Sequence, residues 1–407
     1  MDRYINLLTR LGLVALVAAP IMLAAFAAVQ WPYTLNMWRL ARQGWITTVD
    51  KDIFAPDARL VYKPIETVAG DPEGAPLPRS GDAVLQSRFA GVVAYANTKE
   101  SYALLVWSKG ALVLEHYGPG ASAEAHPDSA SMHKSVTALA LGAAFGKGLI
   151  AGLDEPVGTY ISEWHEEPRG TMTLRDVMGM ASGLDKTSNA GGPFSESNQF
   201  LAGFNADEIV LNRPLIARPG TAFAYRNINT QLLGLILERA TKKRYAEFLS
   251  EALWKPIGAG DAAVWLHGPG GTARHYTALM ARPEDWLRIG LLIKNRGLVG
   301  DKQVVPAEWI DAMLTPSKLY PNYGLQVWFA RPYLPMRYYN PSKPGLGSPA
   351  KDKWGTDDMV FFDGVGGQRV YISRSEDLVI VRLGVARTDW DDSVLTNVVM
   401  AALAPAR

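Results

Sequence analysis

Residues 131–146 read SMHKSVTALALGAAFG: a Ser131-Met132-His133-Lys134 opening followed by an apolar run. Val136, Leu139, Ala140 and Ala143 recur at helical spacing, so the stretch from about Ser131 to Gly146 is expected to be a helix. Residues three apart are neighbours on a helix face, which sets Lys134 beside the Ser131 hydroxyl. The first turn of a helix also offers free backbone N–H groups and the positive end of its dipole. One turn can thus supply a nucleophile, a cation next to it and one oxyanion donor. Ser-x-x-Lys is a short pattern that recurs by chance, so it needs corroboration from the rest of the chain. His133 projects from a different face and reads as a structural side chain.

The composition narrows the chemistry. The chain has 407 residues, 41 Lys+Arg against 40 Asp+Glu, 48% hydrophobic residues and 20% charged ones. This apolar fraction excludes intrinsic disorder, and the balanced charge leaves no electrostatic footprint for nucleic acid. There is no cysteine, which removes thiolate nucleophiles, disulfides and iron–sulfur clusters together. The six histidines form no His-x-His or His-x-x-x-His pair, so no metal site is expected.

The N-terminus differs from the rest. From Leu11 to Val29 every residue is apolar, Gly or Pro, and no charge falls between Arg10 and Arg39. Residues 1–32 are therefore expected to form one transmembrane helix or signal segment. Arg3 and Arg10 precede it, while Trp31, Tyr33 and Trp38 follow as an interfacial belt. The expectation is a single pass in the cytoplasmic membrane with the catalytic domain outside. Secretion after cleavage at Ala25-Phe26-Ala27 is the alternative.

Residues 33–87 read as a linker and irregular lead-in, because Lys63 to Ala83 is rich in Pro, Gly and acidic residues. Gly91–Ala96, Ala103–Trp107 and Ala111–Tyr117 read as strands, the last two joined by a Ser108-Lys109-Gly110 turn. Helices are expected near Thr230–Ala240 and Pro283–Lys294, strands at Arg369–Ser373 and Leu378–Leu383, and a final helix at Asp391–Leu403. Early and late strands around a helical middle give an α+β fold. An antiparallel sheet flanked by helices (about 88–150 and 300–407) would carry an inserted, mainly helical lobe (about 150–300), all within one unit spanning 88–407.

Two further elements accompany Ser131 and Lys134. Tyr225-Arg226-Asn227 follows Pro219-Gly220-Thr221 and precedes a helix. Phenol is a poor base at its ordinary pKa of about 10, but a nearby cation such as Lys134 would favour phenolate. Tyr225 could then take the Ser131 proton and return it to a leaving group. Asp363-Gly364-Val365-Gly366-Gly367-Gln368 precedes a strand, and glycines there let a ligand approach the backbone. A Gly-x-Ser-x-Gly elbow is absent, and Gly179-Met180-Ala181-Ser182-Gly183 has the wrong spacing.

Taken in order, these motifs resemble the serine β-lactamase-related hydrolases of the class C and penicillin-binding type, over about residues 88–404. Thr173-Leu174-Arg175-Asp176, Ser182-Gly183-Leu184 and Leu232-Leu233-Gly234 add matching context. The resemblance implies Ser131 as the acylated nucleophile, Lys134 as its activating partner and Tyr225 as general base and acid. It implies Asn227 as a contact for the substrate amide, and backbone N–H groups of Ser131 and of Gly364–Val365 as the oxyanion hole. It implies no metal and no organic cofactor.

The third motif departs from the β-lactamase form. Where Lys-Thr-Gly would stand, the chain reads Phe361-Phe362-Asp363-Gly364-Val365-Gly366-Gly367-Gln368, and Lys343-Pro344-Gly345 carries a Pro that argues against a strand. The Gly-x-Gly-Gly-Gln form looks like the branch containing 6-aminohexanoate-dimer hydrolases and related esterases, in which Asp185 matches a substrate-side carboxylate. The expected activity is hydrolysis of a small-molecule ester or linear amide through an acyl-enzyme. The alternatives are a β-lactamase or D-Ala carboxypeptidase, and a non-catalytic binding or sensor protein.

Overall fold

The computed structural model describes residues 2–29, 31, 34–35, 37–38, 55–71, 73–190, 192 and 195–404. Tyr33 of the expected aromatic belt and residues 39–54 of the expected lead-in lie outside them.

A six-stranded antiparallel sheet forms the centre. Strands β2 (Ser101–Ser108) and β3 (Ala111–Tyr117) come from the early chain. Strands β6 (Trp328–Phe329), β9 (Val360–Gly364), β10 (Gln368–Ser373) and β11 (Leu378–Gly384) come from the late chain. The order is β3-β2-β11-β10-β9-β6. Strand side chains alternate between faces, and both faces are covered. Leu104 and Val106 enter one core cluster with Ile380 and Tyr371, while Ala103, Leu105 and Trp107 enter another with Val379 and Val381. That is why these strands read as nearly unbroken apolar runs. Helices α2 (Ala90–Thr98) and α7 (Asp392–Leu403) pack with each other, and α2 also meets β2; α6 (Pro283–Lys294) packs on β10 and β11. A Cβ on Gly290 of α6 would fall 2.5 Å from Val379 Cγ1, so α6 approaches the sheet closely.

Gly91–Ala96 is helical, not extended. Val92 and Ala96, one turn apart, are the buried positions of α2, and this one-sided burial overrides the β-preference of the Val92-Val93 pair. Lys63–Ala83 is not wholly irregular. β1 (Ile65–Val68) pairs with β4 (Ala262–Trp265), which in turn pairs with β5 (Leu279–Met280), in a separate antiparallel sheet.

Helix α3 (His133–Gly146) has buried residues on every side from His133 to Ala144, which accounts for its all-round apolar composition. Trp309 caps one side by donating Nε1–H to the Ala138 carbonyl at 3.0 Å. Gly142 is required there, since a Cβ would meet Trp309 Cδ1 at 2.4 Å.

The N-terminal expectation is corrected. Asp2–Val29 forms helix α1, yet among the described residues no helix is long and apolar enough to cross a membrane. The first turns of α1 carry Asp2, Arg3, Asn6, Thr9 and Arg10. The single-pass membrane localisation and the membrane as a partner fall with that helix.

Candidate active site

Ser131 lies in a short 3-10 turn, Ala130–Met132, that feeds directly into α3. Ala130 is held in the left-handed region at φ 47°, a conformation that costs a non-glycine residue free energy. The Asp128 carboxylate offsets this by accepting from the Ala130 N–H at 2.8 Å, and the Tyr62 hydroxyl donates to its other oxygen at 2.8 Å. Burial pushes the Asp128 carboxyl up to about 6, against the pull of those hydrogen bonds. Ser131 itself remains partly exposed at the end of this rigid elbow.

Lys134 is almost wholly buried. Its Nζ is 2.8 Å from Ser131 Oγ and 2.8 Å from the Tyr276 carbonyl, and it lies 5.2 Å from the centre of the Tyr225 ring. Loss of hydration pulls its pKa down to about 7, with the Asp363 charge opposing. Lys134 is therefore far easier to deprotonate than an ordinary lysine, and its Nζ sits within hydrogen-bond reach of the serine hydroxyl.

Tyr225 is placed by the Asn340 side chain, whose oxygen accepts from the Tyr225 N–H at 2.8 Å. Its ring packs against Trp328 at 5.4 Å and Tyr339 at 5.3 Å. Its phenol is pushed well up, not down: burial is the main cause, the Asp363 charge adds to it, and the hydrogen bond with Ser131 opposes. The phenolate expected from a nearby cation is thus disfavoured, and Tyr225 stays protonated.

β9 ends beside the elbow. A Cβ on Gly364 would sit 2.4 Å from the Ser129 carbonyl oxygen and 3.3 Å from Ala130 Cβ, so only glycine lets this backbone meet the serine turn. Val365 follows, and its side chain is exposed. Behind this edge lies a buried ionic cluster. Asp363 pairs with Arg369 at 2.7 Å and with Arg337, and accepts from the Tyr339 hydroxyl at 3.0 Å. Asp392 pairs with Arg369 at 2.8 Å and Arg337 at 2.9 Å. Burial alone would raise the Asp392 carboxyl, but the Arg369 and Arg337 guanidinium groups hold it near about 2.

The fold therefore gathers Ser131, Lys134, Tyr225 and the Gly364–Val365 turn. Asn227 stands at the start of helix α5 (Asn227–Thr241), exposed on the wall next to Tyr225. The Asp185 carboxylate accepts from the Lys186 N–H at 2.7 Å, and its charge is felt at Arg226, the neighbour of Tyr225. His133 turns away from Ser131, with Nδ1 2.8 Å from the Thr277 carbonyl and Nε2 2.8 Å from the Tyr245 hydroxyl. Sequence reading missed the Tyr276 carbonyl, the Asp128–Tyr62 support and the Asp363 cluster. For the cluster, a charged residue inside the apolar run Val360–Gly364 was the available signal.

The Beta-lactamase family model matches residues 89–399. The chain belongs to the beta-lactamase family, and its α+β fold is of the beta-lactamase/transpeptidase-like kind. A 6-aminohexanoate-dimer hydrolase of Paenarthrobacter ureafaciens is 26% identical over 305 residues, 71% of this chain and 73% of that protein. A Bacillus anthracis protein provisionally assigned as a 6-aminohexanoate-dimer hydrolase superposes with a TM-score of 0.68 at 20% identity, over 88% of this chain and 97% of that one. EstCE1, described as a hydrolase with promiscuous acyltransferase activity, superposes with a TM-score of 0.57 at 13% identity, over 79% and 99%. At these identities the two superpositions speak to the fold alone.

Proposed function

We propose that the protein is a serine hydrolase that cleaves esters or linear amides through an acyl-enzyme on Ser131. The observation that carries this reading is the buried Lys134 amine, 2.8 Å from Ser131 Oγ, with its pKa lowered to about 7. Neutral Lys134 accepts the Ser131 proton as Oγ attacks the substrate carbonyl carbon. The oxyanion forms against backbone N–H groups of Ser131 and of the Gly364–Val365 turn. As the bond to the leaving group breaks, the protonated Tyr225 phenol donates its proton to the departing oxygen or nitrogen and recovers one from Lys134. Water then attacks the acyl-enzyme, which releases the acid and frees Ser131 Oγ. Asn227 contributes a polar contact to the acyl side.

The edge of β9 supports ester or linear amide over β-lactam or D-Ala peptide. A substrate carboxylate there would meet Asp363, whose partners Arg337 and Arg369 are already engaged with it and with Asp392. The 6-aminohexanoate-dimer hydrolase relative supports the linear amide class. The test is a panel of p-nitrophenyl esters, linear aminohexanoate dimer, nitrocefin and a D-Ala-D-Ala peptide. The reading expects turnover of esters or of the dimer, lost in Ser131→Ala. Nitrocefin turnover rivalling that of the esters would contradict it.

A further inference from the structure

We propose that Arg226 and Lys186 form an anion-recognising subsite, so that the preferred acyl group ends in a carboxylate. The inference rests on the serine hydrolase reading above and names the substrate class of that site. A cleft of about 310 Å³ opens beside Asn227. Lys186 and Arg226 line it together with Thr187, Asn198 and Phe200. The cleft adjoins the catalytic groups at two points. Asn227 and Arg226 directly follow Tyr225 in the chain. On the other wall, Phe200 stacks on Tyr276 at 5.0 Å, and the Tyr276 carbonyl is a partner of Lys134 Nζ.

The charge of the cleft is unbalanced. Among the described residues, neither the half-buried Arg226 guanidinium nor the exposed Lys186 ammonium closes on a carboxylate in an ion pair, and at Arg226 the Asp185 charge is felt only at a distance. This sets them apart from Arg213, Arg239 and Arg244, each of which closes on a glutamate. Arg226 is also half-buried, and that burial pulls its pKa down, Asp185 offsetting part of the effect. Asp185 is not among the cleft-lining residues, and its carboxylate is turned onto the Lys186 amide. A partly desolvated guanidinium whose burial Asp185 offsets only in part favours a ligand that brings further negative charge. The uncharged lining, Phe200, Leu201 and Ile228, suits the methylene chain leading to it.

The test compares three esters on the full chain: p-nitrophenyl hydrogen glutarate, p-nitrophenyl pentanoate and p-nitrophenyl 5-aminopentanoate. Relative to intrinsic reactivity, kcat/KM for the anionic ester should exceed both others by roughly tenfold or more, the scale of a hydrogen bond to a charged group. Added salt should reduce the ratio. Arg226→Met should lower the anionic-to-neutral ratio about tenfold, and Arg226→Lys should restore part of it. Equal kcat/KM for the anionic and neutral esters, or a preference for the cationic one, in an enzyme that depends on Ser131 overturns the subsite alone. Pentanoate turnover that survives Ser131→Ala overturns the hydrolase reading beneath it. Calorimetry on Ser131→Ala protein reads the subsite without turnover. Monomethyl glutarate should bind and methyl pentanoate should bind more weakly. Equal binding overturns the proposal.

Discussion

The buried amine at Lys134 makes the pH profile a sharp test. In water a lysine titrates near 10.5, and burial brings Lys134 to about 7. If the neutral amine takes the Ser131 proton, kcat/KM should follow the uncharged fraction. That fraction is about 1% at pH 5, about one-tenth at pH 6 and about half near pH 7. The rate should climb about tenfold per pH unit up to roughly 7 and then level off. An ordinary lysine in this role would keep the limb rising to about pH 10. Initial rates on a p-nitrophenyl ester serve, read at a wavelength where the phenol and phenolate absorb equally and corrected for hydroxide hydrolysis. Lys134→Met should lose the limb and about 10²- to 10⁴-fold in rate. The same burial has a stability consequence of definite sign. Between about 7 and 10.5 the unfolded chain holds one more proton than the folded one. Stability associated with this group is thus present above about 10.5 and lost as the pH falls to about 7. Below about 7 the penalty is full, and Lys134→Met should be more stable than the parent by roughly 2–4 kcal/mol in urea. A limb still rising at pH 9, or a methionine variant that is no more stable at pH 6, would refute the reasoning.

Three other outcomes follow from the same geometry. Asp128→Asn should weaken the support of the Ala130 conformation and cost about 1–3 kcal/mol in urea unfolding, with a fall in kcat larger than any change in KM. Gly364→Ala forces a Cβ to within 2.4 Å of the Ser129 carbonyl oxygen; ester turnover should drop at least tenfold, while circular dichroism stays native. Asp392→Asn leaves Arg337 and Arg369 short of a buried counter-charge and should lower stability at pH 7 by about 3–5 kcal/mol, measured by urea titration. Because its carboxyl is held near about 2, the parent should keep this contribution above the ordinary carboxylate range and lose it as the pH falls through about 2.

The parts of the fold that are legible in the sequence are those with complete local signals. Pro283 at the first helical position and Asp285 two residues on mark the start of α6. Lys109 and Gly110, both at positive φ, make the tight turn between β2 and β3. β1 escapes reading because its partner β4 lies about two hundred residues away and no local feature announces the pairing. Ser131 and Lys134 are legible because their contact is local, one turn apart. The reversed shift at Tyr225 is not, since it depends on burial by Trp328 and Tyr339 and on the charge of Asp363, all distant in sequence. The Tyr276 carbonyl that binds Lys134 is a backbone atom, and no side-chain pattern encodes it.

The central claim is that Ser131 forms the acyl-enzyme. A fluorophosphonate probe followed by peptide mass spectrometry tests it most directly. A single adduct on the Ser131 peptide is expected, absent in Ser131→Ala and slowed in Lys134→Met. Labelling that persists in Ser131→Ala, or an adduct on another residue, would contradict the account.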